Sequence, residues 1–293
     1  MMEPTYVIPT SQAAHLAERI KTKQGIKIVL PGLNRDGKHH FPDGEIYAKI
    51  PRAEQLKNKK VVVLHSGAPN PNDGLVELEL ILQILKNAKV QQIEVFFSYI
   101  PYAMQDKVFE RGETNAAQDL VKKLVNYYGV KKLYAIDPHF GGRVWIKKYP
   151  FISLSAVSLL MERATEEFGS DLLFLSTDKG GKRRTGIRGM KKTRQNSRTV
   201  HIENPNALGK LIKGKTIAVI DDVIKTGGTL EKFYDECNRA GAKQIIALVT
   251  HGVIPSGVER AKRTYRKLYL TNTIHQEAAN VDIANLILNA LSA

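Results

Sequence analysis

Between residues 216 and 229 the chain reads TIAVIDDVIKTGGT. An apolar run ends in two adjacent carboxylates, Asp221 and Asp222. A turn follows, Thr226-Gly227-Gly228-Thr229, and leads into amphipathic sequence. Glycines let backbone N–H groups approach a phosphate, and a helix N-terminus adds its dipole and unpaired donors. The two threonines add hydroxyl donors. Carboxylates repel a phosphate, so the aspartates must accept from hydroxyls or hold a cation. A sugar phosphate satisfies both ends. A plain tight turn with Thr229 as N-cap accounts for Thr229, but it leaves paired aspartates on an apolar strand unexplained.

The elements that must position these residues are legible around them. Apolar runs at 59–66, 93–100, 131–137, 171–177, 216–221 and 244–250 predict buried strands. Segments 73–88, 115–129, 155–169 and 229–242 carry helical periodicity, and several close at Gly129, Gly169 or Gly241. Strand and helix in alternation predict an α/β fold of parallel sheets joined by right-handed crossovers. Each half holds such a series, so two domains are expected, 1–147 and 148–293, with the boundary beside Pro150. A terminal amphipathic helix over 281–292 can pack back on the N-terminal half. In open parallel sheets ligands sit beyond the carboxyl ends of the strands, which is where Asp221 and Asp222 are expected.

Composition narrows the class. At 43% hydrophobic and 25% charged residues the chain is of ordinary globular type. The single cysteine, Cys237, excludes an internal disulfide and suits a reducing compartment. No apolar run reaches membrane-spanning length, and the opening MMEPTYVIPTSQ lacks a signal-peptide pattern. The expectation is a cytoplasmic enzyme or binding protein with no membrane partner. A net charge of +15 favours anionic ligands. Nucleic acid fits poorly, because aromatics do not interleave with the basic clusters at 179–198 and 259–267.

VIDDVIKTGGT resembles the phosphoribosyl-binding motif of type I phosphoribosyltransferases and of ribose-phosphate pyrophosphokinases. Further motifs stand in the order of the pyrophosphokinases: FPDGEIYAKI (41–50), QDKVFERGET (105–114), IDPH (136–139), STDKGG (176–181) and KTR (192–194). The resemblance covers nearly the whole chain and is closest to the shorter, archaeal-type members. It implies two tandem phosphoribosyltransferase-like domains, each a mainly parallel sheet flanked by helices. It also implies transfer of the diphosphoryl group of ATP to the 1-hydroxyl of ribose 5-phosphate, giving 5-phosphoribosyl 1-diphosphate and AMP, with Mg²⁺ as cofactor.

The resemblance carries roles over by position. Asp221 and Asp222 fall on the ribose 2- and 3-hydroxyls, and Thr226, Gly227, Gly228 and Thr229 on the 5-phosphate. His139 and Asp178 match positions that contact Mg²⁺ and the ATP phosphates; hard cations prefer oxygen, so His139 is expected mainly on phosphate. Lys192 and Arg194 match a catalytic loop whose cations stabilise the group in transit. Phe41, Asp43 and Glu45 match the loop that receives adenine, and Gln105 and Asp106 the next nucleotide-contacting segment. In the family the adenine loop comes from a neighbouring subunit, which implies a homo-oligomer, a dimer or higher.

Two departures stand out. The family typically has arginine just before Gln-Asp, where this chain has Met104, and a thioether cannot replace a charge-assisted donor. Only a short, glycine-rich stretch separates Gly181 from Lys192, where the family places a helix and a strand. Lys182, Arg183, Arg184 or Arg188 could supply the missing charge. The alternatives are a catalytically weak nucleotide-binding regulatory homologue and a phosphoribosyltransferase that consumes phosphoribosyl diphosphate.

Overall fold

The computed structural model describes residues 4–177, 199–200 and 211–292. Contacts divide the chain into two units. The first holds residues 1–154, 273–275 and 284–293; the second holds 155–272 and 276–283. The division falls after Leu154, a few residues beyond the boundary drawn beside Pro150, because the short strand Phe151–Leu154 pairs with the first sheet.

The first unit is built on a six-stranded, all-parallel sheet. Its strands are β1 (Thr5–Pro9), β2 (Ile26–Ile28), β3 (Lys60–Ser66), β4 (Gln92–Tyr99), β5 (Lys132–Ile136) and β6 (Phe151–Leu154), in the order β2-β1-β3-β4-β5-β6. From Val61 to Ser66 every residue of β3 is buried, as are all of β4 after Gln92. Buried, mainly apolar runs of this kind are what a parallel strand shows when both faces are covered. The helices are α1 (Ala14–Ile20), α2 (Pro71–Asn87) and α3 (Ala116–Asn126). Pro71 opens α2, where a missing N–H costs nothing. The Asn115 side chain caps α3 by accepting from the Gln118 N–H at 3.1 Å.

The second unit carries a five-stranded parallel sheet. It comprises β7 (Leu172–Ser176), β8 (Thr199–Val200), β9 (Thr216–Ile224), β10 (Gln244–Gly252) and β11 (Leu268–Leu270), ordered β11-β10-β9-β7-β8. Its helices are α4 (Val157–Phe168), α5 (Gly228–Arg239) and α6 (Pro255–Thr264). The period of two along β9 separates two cores. Ile217 and Val219 pack with Leu230, Cys237 and Val258, from α5 and α6. Ala218 and Ile220 pack with Leu160 and Ala164, from α4. The last helix, α7 (Ala284–Ser292), starts later than the expected 281 and belongs to the first unit, where it contacts α1. Among the described residues no helix is long and apolar enough to cross a membrane.

Candidate active site

β9 runs to Ile224, three residues past the end expected at Asp221. Its pairing with β7 stops at Ser176↔Ile220, whereas β10 stays paired with it out to Ile224↔Gly252. Among the described residues, Asp221 to Ile224 therefore form a tongue whose strand pairing is with β10 and no longer with β7. The aspartates lie within this tongue rather than at its end. Asp222 is buried, 7% exposed, while Asp221 is half-buried and its Oδ1 accepts the Asp222 N–H at 3.0 Å. The alternation of the pleat puts Asp221 on the face toward α5 and α6. Burial first, and charges including Asp221 after it, push the Tyr265 hydroxyl well above its ordinary pKa.

The turn after the tongue owes its shape to two glycines. Gly227 has φ +80°, in the left-handed region, and is the N-cap of α5. Thr229 thus sits in the first turn of the helix, exposed, and is not the cap. The leading N–H groups of α5 have no partner four residues back, so they form the donor set a phosphate needs. The second glycine comes from α6. A Cβ on Gly257 would lie 1.9 Å from the Lys225 carbonyl oxygen, and one on Gly227 would lie 3.0 Å from the Gly257 oxygen. The loop and α6 therefore touch backbone to backbone. Glu231 of α5 pairs with Arg260 of α6 at 3.4 Å, and the Tyr265 hydroxyl donates to the Leu230 carbonyl at 2.7 Å. Gly257 escaped the sequence reading; its one signal was a glycine in a helical first turn, where Ala is favoured by about 1 kcal/mol.

In the first unit, two loops at the carboxyl ends of adjacent strands are joined. After β5, Asp137 is buried with φ +37°, and its N–H donates to the Leu154 carbonyl at 2.8 Å. Two successive turns follow, Gly141 N–H to Pro138 O and Arg143 N–H to Phe140 O, both 2.8 Å. His139 stands between buried Pro138 and Phe140, and the Phe140 ring packs on Trp145 and Phe151 at 5.0 and 5.6 Å. After β4, Gln105 is half-buried and Asp106 is buried. Both Asp106 oxygens accept from Arg143, Oδ2 from Nε at 2.6 Å and Oδ1 from Nη2 at 2.9 Å. Those hydrogen bonds raise the guanidinium pKa above its usual value. Trp145 Nε1 also donates to the Asp106 carbonyl at 3.3 Å. Arg143 was missed in sequence because nothing local links it to Asp106, 37 residues away.

Phe41, Asp43 and Glu45 form a separate hairpin. His40 bridges Ile46 in antiparallel fashion, the Phe41 N–H donates to the Glu45 carbonyl at 2.7 Å, and Gly44 takes φ +93°. The Asp43 carboxylate accepts the Glu45 N–H at 3.1 Å. The Phe41 ring is 41% exposed and meets Tyr47 edge-on at 5.5 Å. Among the described residues, none of the hairpin's hydrogen bonds or ring contacts reaches the 105–106 or 137–143 loops. Asp178, Lys192, Arg194 and the segment Lys182 to Arg188 lie outside the described residues. Among the described residues no cluster of three or more His, Cys, Asp or Glu side chains converges to hold a metal ion.

Two family models match the chain. The N-terminal domain of ribose phosphate pyrophosphokinase matches residues 5–129, and the phosphoribosyl transferase domain matches residues 180–281. A ribose-phosphate pyrophosphokinase of Pyrococcus furiosus is 30% identical over 96% of this chain and 98% of its own length. Ribose-phosphate pyrophosphokinase 1 of Streptococcus pneumoniae is 29% identical over 96% of this chain and 91% of its own. The crystal structure of a phosphoribosylpyrophosphate synthetase from Mycobacterium smegmatis superposes with a TM-score of 0.81. That match covers 99% of this chain and 98% of that one at 22% identity, a likeness of fold.

Proposed function

The chain belongs to the ribose-phosphate pyrophosphokinase family, and from that premise we propose how its residues pass the diphosphoryl group of ATP to ribose 5-phosphate. The ribose 1-hydroxyl oxygen attacks the β-phosphorus of ATP. The bond from the β-phosphorus to the α,β-bridging oxygen breaks, and AMP leaves with that oxygen. The products are AMP and 5-phosphoribosyl 1-diphosphate, and the proton of the 1-hydroxyl passes to solvent.

Asp221 and Asp222 accept from the 2- and 3-hydroxyls and hold the sugar in register. The N–H groups of Thr226, Gly227, Gly228 and Thr229, with the two threonine hydroxyls, bind the 5-phosphate. Anchoring both ends of the sugar places its 1-hydroxyl in line for attack, which is where much of the acceleration arises. Phe41 stacks on adenine while Asp43 and Glu45 accept from its exocyclic amine. Gln105 and the Asp106 loop, with His139, contact the triphosphate. Lys192 and Arg194 stabilise charge building on the group in transit and exclude water.

Mg²⁺ would neutralise the triphosphate and orient it for displacement. The ion keeps water and substrate oxygens readily; by the resemblance His139 and Asp178 would be its protein contacts, His139 mainly through the phosphates. The enzyme works as a cytoplasmic homo-oligomer whose partners are ATP and ribose 5-phosphate.

The observation that carries this reading is the tongue of β9, with two aspartates running into a left-handed glycine at a helix N-terminus. The test incubates the protein with ATP, Mg²⁺ and ribose 5-phosphate and looks for AMP and 5-phosphoribosyl 1-diphosphate in equal amounts. Met104, 39% exposed at the position where the family resemblance implies arginine, favours the second reading, a nucleotide-binding regulatory homologue. Nucleotide binding with no AMP formed would select that reading.

A further inference from the structure

We propose that Arg143 is the cation that contacts the phosphates of the bound nucleotide, that Asp106 is its positioning residue, and that the pair replaces the arginine absent at Met104. The inference deepens the reading above and rests on it for the identity of the ligand.

A guanidinium has five N–H groups in a rigid plane. Two of them, on Nε and Nη2, are spent on the Asp106 oxygens. The remaining three have no partner among the described residues, and the side chain is 42% exposed while that of Asp106 is 5% exposed. The carboxylate thus grips one edge of the fork from below and turns the other edge outward. That outer edge is the one that matches a phosphate with two parallel hydrogen bonds.

Placement agrees with the donors. Asp106 lies in the loop after β4 and Arg143 in the loop after β5, and these strands are neighbours in a parallel sheet. Ligands of such sheets sit beyond the carboxyl ends of the strands. Arg143 closes the double turn that begins at Pro138 and contains His139. Packing of Phe140 on Trp145, and the Trp145 hydrogen bond to the Asp106 carbonyl, hold both loops still. A guanidinium fixed in advance loses little entropy when a phosphate arrives. Asp106 was expected to touch the nucleotide itself, yet both its oxygens are occupied by Arg143, so its effect passes through that side chain.

An ion pair that only ties two loops together predicts something different, and the two can be separated. Calorimetry with ATP, adenosine and ribose 5-phosphate is run on the parent, Arg143→Met, Met104→Arg and the double variant, with thermal midpoints alongside. Arg143→Met should weaken ATP about tenfold or more, the scale of a lost charge-assisted contact, and leave adenosine and ribose 5-phosphate unchanged. Adding Met104→Arg should recover most of that loss, which a structural role for Arg143 would not allow. Asp106→Asn should weaken ATP in the parent and have little effect once Arg143 is gone. Unchanged ATP affinity in Arg143→Met overturns the proposal. So does an equal loss for ATP and adenosine with no rescue from Met104→Arg. A parent that binds ATP and forms no AMP sinks the transferase reading instead, while the binding series still decides the role of Arg143.

Discussion

A carboxylate can accept from two hydroxyls at once, whereas an amide has one accepting oxygen. Asp222→Asn should therefore weaken ribose 5-phosphate about tenfold or more while leaving ATP affinity nearly intact. Equal losses for both ligands in calorimetry would detach Asp222 from the sugar. A second residue governs stability rather than binding. His65 is fully buried at the end of β3, with Thr10 Oγ1 at 3.0 Å from Nδ1 and the Phe97 ring edge-on at 5.5 Å. Burial pulls its pKa from 6.5 down to about 3. The folded chain keeps this imidazole neutral while the unfolded chain protonates it below pH 6.5. Stability is therefore lost as pH falls from 6.5 toward about 3, at up to about 1.4 kcal/mol per pH unit, and is untouched above that window. Urea titrations between pH 7 and 4 should show a shallower acid slope in His65→Gln; an identical slope would mean the histidine does not contribute it.

At the scale of elements, what could be read in sequence follows from how many faces are covered. β3, β4, β5, β7, β9 and β10 announce themselves because both faces are largely buried and the run is mainly apolar. β2, three residues long and partly exposed, and the short β6 gave no such run. The turn proposed to bind the phosphate was legible because its residues are contiguous. Its support was not, because Gly257 meets the loop only through tertiary contact. That contact makes a prediction about α6. Gly257→Ala should favour the isolated helix by about 1 kcal/mol. Its methyl group would nevertheless sit 1.9 Å from the Lys225 oxygen and 2.9 Å from the Thr226 carbonyl carbon. These are backbone atoms, so relief requires the loop and helix to move apart, at a cost of about 1–3 kcal/mol. The expected result is a lower thermal midpoint with ribose 5-phosphate affinity reduced and ATP affinity kept. Unaltered sugar affinity would show that α6 does not shape the loop.

At the scale of the whole molecule, a chain of net charge +15 whose ligands are polyanions draws both substrates in by its field. Charge cannot recognise adenine, however, and the ring proposed to do so is on an exposed hairpin. Among the described residues Phe41 touches Tyr47 and no other ring, so truncating it should cost the fold little. If its partner is adenine bound to a second copy, the defect of Phe41→Ala lies in the neighbour's site, and complementation can reveal it. Phe41→Ala and Asp222→Asn chains are mixed one to one, dissociated and reassembled, then assayed at limiting ATP and ribose 5-phosphate. A mixed contact joins an intact sugar site on one chain to an intact Phe41 on the other. Random pairing should then restore about a quarter of the parent rate, since one of four donor–acceptor combinations is complete. A monomeric parent with full activity, or a mixture no better than the mean of its two components, would put Phe41 in its own chain's site or in none.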